Sequence, residues 1–246
     1  HMILVDEFVK MNVSETFWNM FLVVIQLGAI LAVCVLFFHE LNPFSPSKGK
    51  EGRRDTWVLW GKIVLGCIPA AAIGLPLNDW MEEHFYNAPV VALALIVYGV
   101  LFIVIENWNK TRTPKVETLN DITYKTAFFI GMFQVLSIIP GTSRSGATII
   151  GALLLGVSRV AAAEFTFFLA VPVMFGLSAL KLIKFGLSFT GAELAILIIG
   201  CVVAYLVSIV VIKFLMGYIK KHDFKIFGWY RIVLGVIVLL YFAFFA

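Results

Sequence analysis

Nine residues, Pro140-Gly141-Thr142-Ser143-Arg144-Ser145-Gly146-Ala147-Thr148, interrupt largely apolar sequence at 127–139 and 149–155. Hydroxyls and a guanidinium are not placed in such surroundings for packing, because an ionised group at membrane depth costs roughly several kcal/mol. Pro140 and Gly141 in succession break any helix that tries to continue through them. The chain is therefore expected to form a broken helix pair here. Its freed amides and hydroxyls call for an anion, and a phosphate fits.

The rest of the chain places this island in a bilayer. The sequence is 61% hydrophobic and 14% charged, more apolar side chain than a soluble core of 246 residues needs. The expected fold class is all-α: a polytopic integral membrane bundle of about six spans plus one re-entrant hairpin. The apolar runs 17–38, 57–77, 89–105, 161–180, 192–215 and 228–245 are each long enough to cross a core of about 30 Å. Trp57, Trp60 and Trp80 suit an interface, and Lys62 is expected to snorkel. The loops 39–56, 106–125 and 216–227 are basic, which puts them on the cytoplasmic side, whereas 78–88 has no Lys or Arg. An even number of crossings must separate two inside loops. The spans 161–180 and 192–215 already supply it, so 126–156 is expected to dip in and return. A single span kinked at Pro140 is the commoner fate of an intramembrane proline, but it would invert everything after it.

Composition excludes several chemistries. Cys34, Cys67 and Cys201 lie far apart inside apolar runs, with neither metal nor disulfide spacing, and no metal-ligand set is read from the chain. A net charge of +4 spread over loops gives no nucleic-acid surface. The chain opens with His1-Met2, the kind of start left by tag removal or by the cut edge of a longer protein.

At a helix break, Gly-Thr-Ser-Arg-Ser-Gly can form an anion cradle. An arm beginning near Ser145 presents unpaired amides and a positive dipole end. Thr142, Ser143 and Ser145 add hydroxyls, and Arg144 adds a planar fork for two phosphate oxygens. Gly141 and Gly146 permit close backbone approach, and Thr148 lies one turn on from Ser145. A Walker A loop fails because Ala147-Thr148 follows Gly146, and a nucleophile elbow fails on spacing. Acid phosphatases of the PAP2 type need a downstream His and Asp, and the only later histidine is His222 in a basic loop. The competing structural reading has the hydroxyls bonded back to helix carbonyls and Arg144 snorkelling or paired.

At these residues the chain resembles the undecaprenyl-pyrophosphate phosphatases, the bacitracin-resistance family. Gln134 followed by Pro140–Thr148 carries the likeness, which extends to Ala162-Ala163-Glu164-Phe165-Thr166-Phe167-Phe168-Leu169-Ala170-Val171-Pro172 and to Phe21 with 26–33. The resemblance implies a multi-pass enzyme of the bacterial cytoplasmic membrane, with its site open to the outer face. The enzyme would remove the terminal phosphate of a polyprenyl diphosphate lipid, and a homodimer is one assembly open to it. It also implies two inverted repeats within a single domain spanning 1–246. Residues 1–125 would be the remainder of the first, and 126–246 the second, with the hairpin 126–156. In the family the first hairpin is Glu-rich and ends Pro-x-Ser-Ser-Thr-Gly-His; His1 fits its last residue, and the glutamates precede this chain's start.

By that resemblance Arg144, Ser143 and His1 are the expected catalytic residues. Gly141, Thr142, Ser145, Gly146, Thr148 and Gln134 are the expected substrate-binding set. A divalent cation, Mg2+ or Ca2+, would bridge phosphate to the family's glutamates, and without them this chain as given is expected to have little activity. The alternative function is a transporter or flippase for an anionic lipid or solute, since broken helices at mid-membrane also serve transport. A third alternative is a non-catalytic membrane scaffold.

Overall fold

The computed structural model describes residues 13–45, 48–85, 87–186 and 189–245. Eleven α-helices follow in order: α1 Glu15–Val24, α2 Gln26–Leu36, α3 Phe38–Leu41, α4 Lys50–Pro69, α5 Leu75–Phe85, α6 Ala88–Asn109, α7 Tyr124–Val135, α8 Arg144–Leu154, α9 Arg159–Phe185, α10 Gly191–Ile219 and α11 Lys225–Phe245. A π-helical segment, Ala70–Gly74, joins α4 to α5. Among the described residues the only β pairing is one isolated bridge, Val116 to Val157. Among the described residues six helical stretches are long and apolar enough to cross a membrane: Glu15–Leu36, Lys50–Leu77, Pro89–Asn109, Arg159–Phe185, Gly191–Ile219 and Lys225–Phe244. The chain is a multi-pass, all-helical membrane protein.

Two expected loops are shorter than the charge pattern suggests. Helix α4 begins at Lys50 and takes Arg53 and Arg54 into its first turns, and α5 continues to Phe85. Charged residues at a span's end extend the helix into the headgroup region, where the backbone still hydrogen-bonds internally.

Contacts gather the described residues into two units. In the first, made from 13–42 and 170–214, Phe17 stacks on Phe21 and meets Phe185 edge-on. Met20, Val24 and Leu197 complete that apolar cluster. The Ser178 hydroxyl donates to the Val23 carbonyl at 3.4 Å. The outer face of α10 is a run of exposed Ile198, Val202, Leu206, Val210 and Phe214, which suits contact with lipid tails.

The second unit, 43–169 with 215–246, contains the polar island. Helices α6 and α11 pack together along their lengths. They meet where Gly99 faces Gly228, and a Cβ on either would stand 2.7 Å from the other's carbonyl oxygen. Only glycine permits that approach. At the end of α6, Glu106 is fully buried and accepts from Arg159 Nε at 3.0 Å, from Arg159 Nη2 at 2.6 Å and from the Phe224 amide at 3.1 Å. One carboxylate thus ties the end of α6, the start of α9 and the turn before α11. Lys62 does not snorkel. It is buried, and its ammonium donates to the Asn120 carbonyl at 3.0 Å, pinning the loop that precedes α7. In that loop the Thr118 hydroxyl and amide donate to Asp121, which holds this exposed carboxyl below its ordinary range.

Candidate functional site: an anion cradle at the amino end of α8

The island is a chain reversal. Thr123 caps α7 by accepting from the Thr126 amide, and α7 runs into a 3₁₀ turn at Leu136–Ile138. Residues 139–143 then turn, closed by the Thr142 amide donating to the Ile139 carbonyl at 3.0 Å. Helix α8 leads back. Gly151 lies beneath the ring of Phe133, and these two residues are equidistant along the chain from Thr142, so the arms are antiparallel. With 12 and 11 residues, each arm is roughly 16–18 Å long, too short for a core of about 30 Å. A single kinked span therefore does not form.

The turn depends on Gly141. Its φ is +86°, in the left-handed region, and a Cβ there would stand 2.5 Å from the Val91 carbonyl oxygen on α6. Backbone is thereby seated on backbone, fixing where α8 starts.

Ser143 caps α8: its Oγ accepts from the Gly146 amide at 3.1 Å and lies 2.9 Å from Ser145 Oγ. The amides of Arg144 and Ser145 have no partner within the helix and point out of its positive end. Arg144 Nη1 and Arg231 Nη1 are buried with no hydrogen-bond partner among the described residues, and the Thr142 hydroxyl lies within reach of the Tyr98 phenol. Buried polar atoms are normally satisfied, and a guanidinium N–H left bare is costly. Two such donors, on and beside the first turn of α8, suit an anion.

Arg231 was not among the residues expected from the sequence. It comes from α11, and a Cβ added at Gly146 would stand 3.2 Å from its Nη2 and 3.4 Å from its Nη1. Its guanidinium carbon lies 5.7 Å from the Phe102 ring centroid, and the Tyr98 phenol neighbours both Thr142 and Arg231. The signal was a lone arginine within the apolar run 228–245, the kind of intramembrane charge that marks function.

The remaining expected residues fall in different places. Gln134 is buried on α7. Thr148 is fully buried: its hydroxyl donates to the Arg144 and Ser145 carbonyls, each at 3.1 Å, and accepts from the Thr166 hydroxyl at 3.0 Å. It joins α8 to α9, the back-bonded arrangement, instead of facing the open end of the cradle. His1 lies outside the described residues. His84 stacks on Trp80 and His222 on Tyr218, each at a helix end and exposed.

Among the described residues the cradle offers a divalent cation no acidic ligand. Among the described residues no three His, Cys, Asp or Glu gather to hold a metal ion. The polar side chains of the cradle are hydroxyls and guanidiniums, which repel a cation or bind it weakly, and Glu106 is committed to Arg159 and the Phe224 amide.

The profile of a family described as bacitracin resistance protein BacA matches residues 1–237. A curated undecaprenyl-diphosphatase of Desulfitobacterium hafniense is 64% identical over 244 residues, covering 99% of this chain and 88% of the relative. One of Enterococcus faecalis is 63% identical over 242 residues, with 98% and 88% covered. One of Lactiplantibacillus plantarum is 60% identical over 245 residues, with 98% and 89% covered.

Proposed function

The chain belongs to the bacitracin resistance protein BacA family, and on that premise we propose that it hydrolyses undecaprenyl diphosphate to undecaprenyl phosphate and inorganic phosphate. The observation that carries the reading is a pair of buried guanidiniums with unpartnered Nη1 atoms, one on the first residue of α8 and one from α11 beside Gly146. A diphosphate head supplies the negative oxygens these donors lack.

In the reaction a water oxygen bonds to the terminal phosphorus, and the bond from that phosphorus to the bridging oxygen breaks. The bridging oxygen leaves with the electron pair as part of the lipid monophosphate. Such a transition state spreads charge over the equatorial oxygens and the leaving oxygen, so catalysis rests on positioning and electrostatics. Arg144 and Arg231 bind phosphate oxygens and stabilise the charge on the leaving side. The Arg144 and Ser145 amides and the Ser145 hydroxyl donate to the terminal phosphate, and Ser143 holds the helix end open by capping Gly146. Thr142, beside Tyr98, completes the rim. His1 is the proposed proton carrier that takes the proton the attacking water loses; in the covalent route its ring nitrogen attacks the phosphorus first, the lipid monophosphate leaves, and water then hydrolyses the phosphohistidine. The same reading places the hairpin as a re-entrant element of an inverted repeat, in a bacterial cytoplasmic membrane, with the cradle reached from the outer face.

Transport of an anionic lipid is the less supported reading, because the relatives named above are diphosphatases. The deciding experiment is phosphate release from undecaprenyl diphosphate by the full-length protein in detergent, where no second compartment exists. Sustained release supports hydrolysis. Binding without release, from folded protein, contradicts it.

A further inference from the structure

The opposite end of α8 opens on a cavity of about 480 Å³, walled by Asn109, 111–115, Leu153, Leu154 and 156–159. Arg112, Lys115 and Arg159 line it together with Thr111, Thr113 and Ser158, and no acidic residue is among the lining groups. Arg159 is engaged by Glu106. The other two cations are not: neither Arg112 nor Lys115 forms an ion pair among the described residues. The Arg112 guanidinium lies 3.5 Å from the Trp108 ring centroid, a stacked pose that occupies its face and leaves its edge N–H groups to a ligand.

A simpler role for these cations is to neutralise the carbonyl ends of α6 and α8. Each end carries about half a negative charge, and the Asn109 amide already donates to the Leu153 carbonyl at 3.5 Å. Opposing those ends are two full unpaired charges and the positive end of α9, where the Ala161 amide donates to Ser158 Oγ. The balance favours an anion. The cavity also lies where the apolar stretch Pro89–Asn109 ends and Arg159–Phe185 begins, beside the exposed Trp108, a position that suits lipid headgroup phosphates.

We propose that this cavity binds a phosphate-bearing anion, supplied by an anionic phospholipid headgroup or by free phosphate. Helix α8 is roughly 16 Å long, so the anion does not touch the cradle. It bridges the loop 111–115 to Gly156–Ser158 and holds the carboxyl end of the helix whose amino end carries Arg144. The loop is already joined to that strip by the Lys115 and Val116 amides, which donate to the Gly156 carbonyl at 2.8 and 3.1 Å.

The test uses the full-length protein in neutral detergent and two probes. Retention of phosphatidylglycerol against phosphatidylcholine is followed by native mass spectrometry. Thermal protection by inorganic phosphate against chloride is followed at equal ionic strength. R112Q/K115Q should weaken whichever probe the wild type binds by roughly five- to thirtyfold, and K115Q alone by a smaller factor, while K220Q/K221Q in another basic loop binds as wild type. Lys115 is exposed, so K115Q reports even where the double variant folds poorly. Binding of the lipid alone identifies a headgroup site, and protection by phosphate alone identifies a free anion. Equal binding of both probes by wild type and R112Q/K115Q, or an equal loss in K220Q/K221Q, overturns the site.

Discussion

The two ends of α8 treat arginine in opposite ways. At the carboxyl end, Arg159 is spent on a buried carboxylate at 2.6 Å, and that carboxylate also receives the Phe224 amide. On and beside the helix's first turn, Arg144 and Arg231 keep buried Nη1 atoms with no partner among the described residues. Burial of a charge is tolerated when the pair is complete, and an incomplete set is kept only where a ligand completes it. One end of the helix is therefore scaffold, and the other is poised for an anion. A fold under selection for stability alone would have given all three guanidiniums acids.

That contrast is sharpest at Arg144. Arg144→Ala should reduce phosphate release about 10³-fold or more, with the melting temperature unchanged or raised, because it removes a charge that is unpaired in the free protein. A fall in stability that matches the fall in turnover would move Arg144 to the scaffold side. Arg159→Ala should do the reverse. It strands Glu106 in a fully buried setting and should cost about 3–5 kcal/mol of stability, read as chemical or thermal unfolding in detergent. Turnover per folded molecule should stay within severalfold.

Arg231→Lys comes next. A lysine keeps the charge but loses the planar fork, so turnover should fall roughly 10- to 100-fold, mostly through weaker diphosphate affinity. Gly141→Ala forces a Cβ toward the Val91 carbonyl at a positive φ and should cost about 1–3 kcal/mol while displacing the start of α8. Thr148→Val is the mildest. It leaves the Thr166 hydroxyl without its acceptor, costs about 1 kcal/mol and changes turnover only a few-fold. A thousandfold loss there would place Thr148 on the phosphate after all.

Much of this was legible in the residues. Six apolar runs announced six spans, since bilayer thickness leaves few choices for stretches of that length. Pro140-Gly141 announced the break as a pair: a glycine at positive φ cannot continue a helix, whereas a lone proline can be carried, as Pro172 is within α9. The cradle's first side was readable because its donors are consecutive. Its second side was not: Arg231 is far from Arg144 in the chain, and only the packing of α6 on α11 at Gly99 and Gly228 brings it to Gly146. Glu106 was hidden likewise. A carboxylate at the edge of an apolar run looks like the start of a loop until the fold supplies Arg159 and the Phe224 amide. Thr148 shows what spacing alone leaves open: it lies one turn on from Ser145, and its hydroxyl donates to the helix's own carbonyls.

The most direct measurement is a structure of the full-length protein with a non-hydrolysable polyprenyl diphosphate analogue, solved finely enough to place the phosphate oxygens. Oxygens within about 3 Å of both the Arg144 and Arg231 guanidiniums and of the Ser145 amide are predicted. Phosphates bound elsewhere, with Arg144 and Arg231 turned to acidic side chains or to water, would contradict the account.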